Sequence, residues 1–457
     1  MHETIVIVGA GFCGTVLAAN LLRRAAGRPL EIVLIERSAA VGRGLAYAER
    51  AFPYLLNVPA ERLSADSRDP LQFLRFARER FPAAGADDFL PRALYGDYLE
   101  DFLERAVKSA PREVRLLRRR GEVNGIERGG RKSLRVQVED QAALDADRVI
   151  LAVGGPGPPV PAWAAAVREH PRFRQEPWDL PDDLGPEHTV LIIGTGLTMA
   201  DVIMPLSRDL DRMPMLHSIS RRGLLPLPQA ALRHVALRED QLAAVADAQT
   251  ARGLLKASRA LATQMQALGG DWRETITALR NLAPGLWSRL PSVERGRFLR
   301  HVQIYWDVHR HRMPPQQTAR IQNLLSLDKL RVNAGRIRQV HPDGGRLRVE
   351  WQPRGSARLA SLTVDLVVRA MGPDYSVERA SEPLFKSLRA NGSITADALH
   401  LGLRTAKFGV CLGAHGMPTP GLYCLGPMLR ADHWEATAAT ELRNHAERLA
   451  EHLVGGD

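Results

Sequence analysis

The chain has 457 residues, too many for one ordinary hydrophobic core, so two or three domains are expected. With 45% hydrophobic and 25% charged residues it reads as a soluble globular protein, and no apolar run approaches the roughly 18 residues of a membrane span. The net charge of +11 is almost all scattered arginine (six lysines among 62 basic residues), which argues against a nucleic-acid reader and for clefts that draw anions.

The first strand opens within a few residues of Met1, leaving no room for a cleaved signal, so a cytoplasmic protein is expected. Ile5–Gly14, IVIVGAGFCG, is an apolar parallel strand entering a G-x-G-x-x-G turn, and Thr15–Arg24 continues as an amphipathic helix. Gly9 makes the tight turn, Gly11 lets a pyrophosphate approach the backbone, and Gly14 lets helix and strand pack closely. A second strand, Leu30–Ile35, ends in Glu36, where an acid bonds a ribose hydroxyl. Strand, turn, helix, strand and acid together predict an FAD site.

Val41–Tyr47 and Tyr54–Ala60 have the composition of loops, and Pro70–Arg80 and Tyr95–Lys108 have helical spacing. Val114–Val138 alternates in short segments and predicts an antiparallel meander. Asp147–Gly157 is a strand running into Gly and Pro; it predicts the return strand of the cofactor sheet, with Gly154 beside the flavin.

Thr189–Asp201, TVLIIGTGLTMAD, repeats the strand and G-x-G at Gly194 and Gly196. The third glycine is replaced by Met199, and small-residue packing passes to Ala200. The strand Met215–Ser220 that follows ends in Ser220, Arg221 and Arg222 in place of an acid, which favours a 2′-phosphate and hence NADPH over NADH. Leu224–Pro228 breaks this pattern, and Ala230–Ala267 opens a helical stretch of about a hundred residues. Glu294–Met313 crowds His301, Asp307, His309, Arg310, His311 and Arg312 around Tyr305 and Trp306. His309 and His311 cannot share a helix face, so no metal site is expected there. The bland reading is a charged helical surface docked on the flavin domain; the sharper one is a lid whose cations face an anion.

From Leu330 the pattern is β again, and Leu362–Gly372 is a second strand-to-glycine return. Gly421–Pro427 is a last strand with a glycine stop at Gly426, and Ala431–Leu453 reads as one long helix. The expected fold class is α/β, with two Rossmann-like dinucleotide-binding domains and a helical insertion. Residues 1–160 and 335–457 form the FAD-binding domain, and 185–334 the NAD(P)H-binding domain, with the insertion at about 225–325. Cys13, Cys411 and Cys424 are odd in number and lack C-x-x-C spacing, which disfavours a dithiol reductase.

GAGFCG, GRGLAY, LLNVPA, FLPRALYGDYL (Phe89–Leu99), LAVGGPGPP, GTGLTMAD, SRRG, WDVHRHR and MGPDY together resemble a bacterial FAD/NAD(P)-binding flavoprotein monooxygenase family across nearly the whole chain. The family is close in layout to ornithine N-hydroxylases and includes a bacterial FAD-dependent urate hydroxylase, the member this chain looks most like. The resemblance implies FAD, NADPH or NADH as co-substrate, and O2. Its first reading is urate degradation: a flavin C4a-hydroperoxide passes oxygen to urate, giving 5-hydroxyisourate, with Arg310, Arg312 and His309 orienting the anion. Two alternatives stay open: N-hydroxylation of an amine or amino acid, and a non-enzymatic FAD/NAD(P)-binding redox sensor. The partner is a small, anionic substrate, with no nucleic acid and no membrane; a homo-oligomer is compatible with the sequence. Many relatives carry a histidine at the position of Gln229, a departure that bears on specificity.

Overall fold

The computed structural model describes residues 2–129, 133–230 and 237–455. Strand β1 (Glu3–Val8) enters the glycine turn, helix α1 (Phe12–Arg24) follows, and β2 (Leu30–Glu36) returns parallel to β1. After helices α2 (Gln72–Arg80) and α3 (Arg92–Lys108), β3 (Val114–Arg120) pairs parallel with β2. Strands β4 (Val123–Arg128), β5 (Leu134–Val138) and β6 (Leu144–Ala146) form the antiparallel meander, so it starts later than the sequence predicts. β3 is instead the edge strand of the first sheet, paired parallel with β2 and outside the meander. β7 (Arg148–Leu151) then pairs with β1 on its other side.

The second unit begins with the short β8 (Phe173–Arg174) and repeats the first motif as β9 (Thr189–Ile193), α4 (Leu197–Leu206) and β10 (Met215–Ser220). Helices α5 (Glu239–Ala246), α6 (Ala251–Ala267), α7 (Trp272–Arg289), α8 (Ser292–His301), α9 (Gln303–Arg310) and α10 (Pro315–Ser326) form the insertion. Residues 231–236 of the expected helical stretch lie outside the described residues. Strands β11 (Leu330–Asp343), β12 (Arg346–Pro353), β13 (Ala360–Val364) and β14 (Leu366–Arg369) close this unit. Helix α11 (Pro383–Ala390), strands β15 (Val410–Leu412) and β16 (Pro418–Cys424) and helix α12 (Ala439–Val454) rejoin the first.

The two large sheets run β15-β16-β7-β1-β2-β3 and β13-β12-β11-β10-β9-β14-β8. The expected return to the first unit at residue 335 cuts through a single strand. β11 pairs parallel with β10 as far as Ala334, then antiparallel with β12 from Gly335, so residues 335–369 belong to the second sheet. Helix α12 also starts later than Ala431, leaving Trp434 and Glu435 in the turn before it.

The repeat between the sheets extends to individual atoms. The Thr4 N–H donates to the Asp147 carboxylate at 2.7 Å, and the Thr189 N–H to that of Asp365 at 2.8 Å, each tying a first strand to its return strand. The Gly9 N–H meets the Ile35 carbonyl at 2.8 Å, and the Gly194 N–H that of Ile219 at 2.9 Å. Both glycines have left-handed φ, +98° and +122°, and a Cβ on either would collide with the carbonyl at the end of the return strand, Ala152 or Ala370. In each sheet the chain leaves the first strand for one neighbour through a helix and later returns on the other side. This is the switch point at which such sheets open a crevice at the carboxyl ends of their strands.

Candidate functional site

The first crevice is built at the N-terminus of α1. No side chain caps that helix and its first turn carries no acid, so its leading N–H groups and partial positive charge are left for an anion. A Cβ on Gly11 would meet only Gly44, its Cα at 3.6 Å and its N at 4.0 Å, whereas one on Gly14 would run into the Gly9 carbonyl. Gly14 is therefore a packing residue, and Gly11 keeps open the space above the turn. The Glu36 carboxylate accepts from the Ala10 N–H at 2.7 Å and the Ser38 N–H at 3.0 Å. Oε1 also takes the Ser38 hydroxyl at 3.2 Å, but Oε2 keeps a lone pair to spare, so the carboxylate can hold the loop and a ribose hydroxyl together. A Cβ on Gly154, just past β7, would meet nothing within 4 Å, and one on Gly426, past β16, would lie 3.6 Å from the Cys13 Sγ. Three strand ends thus meet one helix end, an arrangement that fits the pyrophosphate of a dinucleotide.

The second crevice repeats this with different chemistry. Helix α4 starts after Gly196 with no side-chain cap and no acid in its first turn, and nothing lies within 4 Å of where a Gly196 Cβ would be. Ala200 is fully buried where α4 packs on its sheet. Ser220 is taken up structurally: its hydroxyl donates to the Thr195 Oγ1 at 2.8 Å, whose own proton goes to the Leu224 carbonyl at 2.6 Å, and it accepts from the Gly223 N–H at 3.0 Å. Arg221 is exposed, while Arg222 donates to the Tyr305 hydroxyl at 3.0 Å and lies 5.3 Å from that ring's centre. A residue of the helical insertion therefore steadies one of the two arginines expected to meet a 2′-phosphate.

A buried ion pair joins the two units. Arg92 at the start of α3 donates to Asp201 on α4 at 2.7 Å, and Gln317 on α10 donates to the other carboxylate oxygen at 2.7 Å. Asp201 is 2% exposed, and burial pushes its carboxyl up more than Arg92 and Gln317 bring it down. The segment Pro228–Gln229 forms a second seam. Gln229 donates from its side chain to the Asn57 carbonyl at 3.0 Å, and its N–H meets the Met313 carbonyl at 2.8 Å. Gln229 therefore bridges the units. Arg273 grips the same segment through the Pro228 carbonyl at 2.9 and 3.0 Å.

The three cations expected to orient substrate part company. Arg310 donates to Glu435 at 3.0 Å, and Trp306 donates to the other oxygen of that carboxylate at 3.1 Å. Arg310 is therefore neutralised as a latch between α9 and the turn before α12, and is not a free cation for a ligand. His309 turns to the insertion, edge-on to Trp272 with ring centres 5.1 Å apart. Arg312 is 8% exposed, and its Nε and Nη1 have no partner among the described residues. Burial, with Arg310, Arg273 and Arg62 nearby, pushes its guanidinium down to about 10, so it stays charged at neutral pH. Asp307 goes the other way, burial pushing its carboxyl up to about 6.

Sequence reasoning gave no role to Arg92, Asp201, Gln317 or Glu435. Asp201 carried a signal, a lone acid between Met199-Ala200 and Val202-Ile203; its partners are 109 and 116 residues away and carried none. The three cysteines are free and buried, and burial pushes the Cys13 and Cys411 thiols up to about 12. Such thiols are poor nucleophiles. No group of three or more potential metal ligands gathers among the described residues, and no helix there is long and apolar enough to cross a membrane.

Residues 6–156 match the model of a family described as FAD-NAD(P)-binding. Among curated proteins there is no match. Solved structures of similar fold include DfoA, the desferrioxamine-pathway cadaverine monooxygenase of Erwinia amylovora, with TM-score 0.65 and 14% identity over 99% of this chain and 95% of that one. The ornithine N-hydroxylase of Kutzneria sp. 744 is similar at TM-score 0.64 and 15% identity, over 99% of both chains. A thioredoxin reductase of T. acidophilum is similar at TM-score 0.51 and 12% identity, over 99% of this chain and 98% of that one. At these identities the likeness establishes the α/β fold with two dinucleotide-binding-type units.

Proposed function

We propose that the chain is an FAD-dependent monooxygenase that draws electrons from NADPH and hydroxylates the nitrogen of a small amine or amino acid. The observation that carries this reading is the pair of uncapped, glycine-turn helices, one followed by a strand ending in Glu36 and the other by a strand ending in Ser220-Arg221-Arg222. An acid suits the free ribose hydroxyl of FAD, and arginines suit the 2′-phosphate of NADPH. FAD supplies the redox chemistry and the activation of O2; the protein supplies binding, orientation and exclusion of water. Gly11, Glu36, Gly154 and Gly426 would hold the flavin nucleotide, over the turn that Gly9 and Gly14 allow to close. Gly194, Gly196, Ala200, Arg221 and Arg222 would hold the nicotinamide nucleotide, with Ser220 bracing the turn between them.

Two of the fold relatives are named for acting on amines, cadaverine and ornithine, and this favours N-hydroxylation over the urate reaction expected from the sequence. A third is named a thioredoxin reductase, and the buried, high-pKa cysteines of this chain are unsuited to thiol exchange. Arg312 adds a preference within the amine class: a buried guanidinium with unused donors suits a substrate that also bears a carboxylate. The test is NADPH consumption by the FAD-loaded protein with ornithine, lysine, cadaverine and urate, with products followed by mass spectrometry. A gain of one oxygen on an amine, coupled to NADPH, supports the reading. Coupled turnover on urate alone overturns the amine assignment, and failure to bind FAD overturns the whole.

A further inference from the structure

We infer that the helical insertion contains a second small-molecule site, shaped for a neutral aromatic molecule that carries one hydroxyl. A cavity of about 330 Å³ lies among α6, α7, α8, α9 and the turn before α12, a size at the lower end of small-molecule sites. Four indoles line it, those of Trp272, Trp287, Trp306 and Trp434. Two have spent their polar edges elsewhere: Trp287 donates to the Ala431 carbonyl at 2.9 Å and Trp306 to Glu435 at 3.1 Å. What they present to the cavity is carbon. Trp287 and Trp434 are already inclined together, with ring centres 4.6 Å apart, so a planar guest meets rings that pack by offset or edge contact.

Of the polar groups in the lining, the Ser258 hydroxyl is spent on the Leu254 carbonyl at 2.8 Å and the Tyr305 hydroxyl receives Arg222 at 3.0 Å, and Thr275 and His309 remain to meet a ligand hydroxyl. Thr275 is 2% exposed, and its Oγ1 has no partner among the described residues although it can both donate and accept. A buried hydroxyl without a partner is costly to the fold, and a ligand hydroxyl would satisfy it. The His309 Nδ1 meets the Tyr305 carbonyl at 2.7 Å. A carbonyl only accepts, so Nδ1 carries the proton and Nε2 is left as an acceptor. Among the described residues no carboxylate lines the cavity, and the one arginine in its lining, Arg259, is exposed. A cationic ligand would therefore meet ring faces but no counter-charge inside, while a phenol-type hydroxyl finds a hydrogen-bond partner as well as the rings. None of these groups belongs to either glycine turn, so the inference does not rest on the flavin or nicotinamide assignments.

The full-length protein should bind 2-naphthol at one equivalent per chain, seen by calorimetry and by a change in tryptophan emission. Naphthalene, which lacks the hydroxyl, should bind about fivefold more weakly, the ratio expected of one modest hydrogen bond. Thr275→Val keeps the shape and removes the hydroxyl; it should erase the preference for naphthol and leave naphthalene binding unchanged. Ala262→Phe, placed in the cavity wall, should weaken both probes at least tenfold. Should Ala262→Phe fail to fold, Thr275→Val decides alone, since it removes only an unpartnered group. No binding of 2-naphthol, equal binding of the two probes, or a preference that survives in Thr275→Val overturns the assignment.

Discussion

Arg92 and Asp201 meet at 2.7 Å across the seam between the two sheets, and each is fixed by a further bond, Arg92 to the Leu55 carbonyl at 2.9 Å and Asp201 to Gln317 at 2.7 Å. The two ends of this pair are not equivalent. Arg92 is 21% exposed and can turn to water, whereas Asp201, at 2%, cannot. Arg92→Ala strands a buried carboxylate and is expected to cost about 3–5 kcal/mol. Asp201→Asn leaves a guanidinium that water can reach and is expected to cost about 1–3 kcal/mol. The pH dependence has a definite sign. Burial raises the Asp201 carboxyl above its unfolded value, so its contribution to stability is full below that value and is lost as pH rises through the raised one. Without Arg92 that window moves upward, and the variant should recover stability on acidification relative to the parent. Urea midpoints at pH 5 and pH 8 measure both effects; equal costs for the two substitutions would rule out this account of the seam.

Gly194 and Gly196 stand two residues apart and should fail in different ways. Gly194→Ala drives a Cβ into the Ala370 carbonyl at a φ of +122°, and is expected to lower stability by several kcal/mol. Gly196→Ala places its Cβ in open space, so the melting temperature should hold or rise slightly. The space that it fills is where the second dinucleotide is proposed to approach, so its NADPH dissociation constant should rise at least tenfold. Thermal unfolding alongside an NADPH titration separates the two. A Gly196→Ala protein with unaltered NADPH affinity would remove the second crevice as a phosphate site.

Arg222, bonded to the Tyr305 hydroxyl at 3.0 Å, is pre-positioned, while Arg221 is exposed. If the 2′-phosphate sits there, Arg222→Ala should lose about 1.5–3 kcal/mol of NADPH binding, roughly a 10- to 150-fold change, with NADH unaffected. Tyr305→Phe removes only the tether and should have a smaller effect in the same direction. The ratio of kcat/KM for the two nucleotides is the readout, and an unchanged ratio in Arg222→Ala would place the phosphate elsewhere.

The parts of the fold visible in the sequence are those whose signal is local. IVIV and TVLII are apolar on both faces because parallel strands are covered on both sides, and the glycines after them mark backbone positions no side chain can share. Where the signal is not local, the reading drifts. Val114–Arg120 reads as the start of the meander that follows it, yet it pairs parallel with β2, a partner far back in the chain that nothing local announces. The boundary at 335 falls inside β11, which changes partners from β10 to β12 without a break in the chain. The basic cluster around residue 310 could not be resolved from sequence, because what separates Arg310 from Arg312 is Glu435, 125 residues further on.

His445 on α12 gives a pH prediction of opposite sign to Asp201. It packs against His433 with ring centres 4.7 Å apart, and its Nδ1 is buried without a partner among the described residues. Burial, reinforced by His433 and Arg448, pushes the imidazole down to about 3. A depressed histidine contributes stability that is present above its unfolded value near pH 6.5 and is lost as pH falls towards the folded one. Stability should therefore fall between about pH 6.5 and pH 3, with a slope from this residue of up to about 1.4 kcal/mol per pH unit. His445→Gln should flatten that slope in urea unfolding across this range. A variant with the parent's slope would assign the acid sensitivity to other groups.

Arg312 poses a conflict between folding and binding that one substitution can expose. A buried guanidinium whose Nε and Nη1 lack partners is a burden on the folded state. Arg312→Leu keeps apolar volume and removes that burden, so it is expected to raise stability by about 1–3 kcal/mol. If those donors exist to receive a substrate carboxylate, the same change should raise the KM for ornithine or lysine by 10-fold or more. It should leave that for cadaverine, which has no carboxylate, nearly unchanged. Arg312→Lys should restore part of the affinity, since it returns the charge without the forked geometry. Gained stability together with a carboxylate-specific loss of binding is the pattern of a residue kept for its ligand, whereas lost stability would make Arg312 structural and move the anion-binding group elsewhere in the seam.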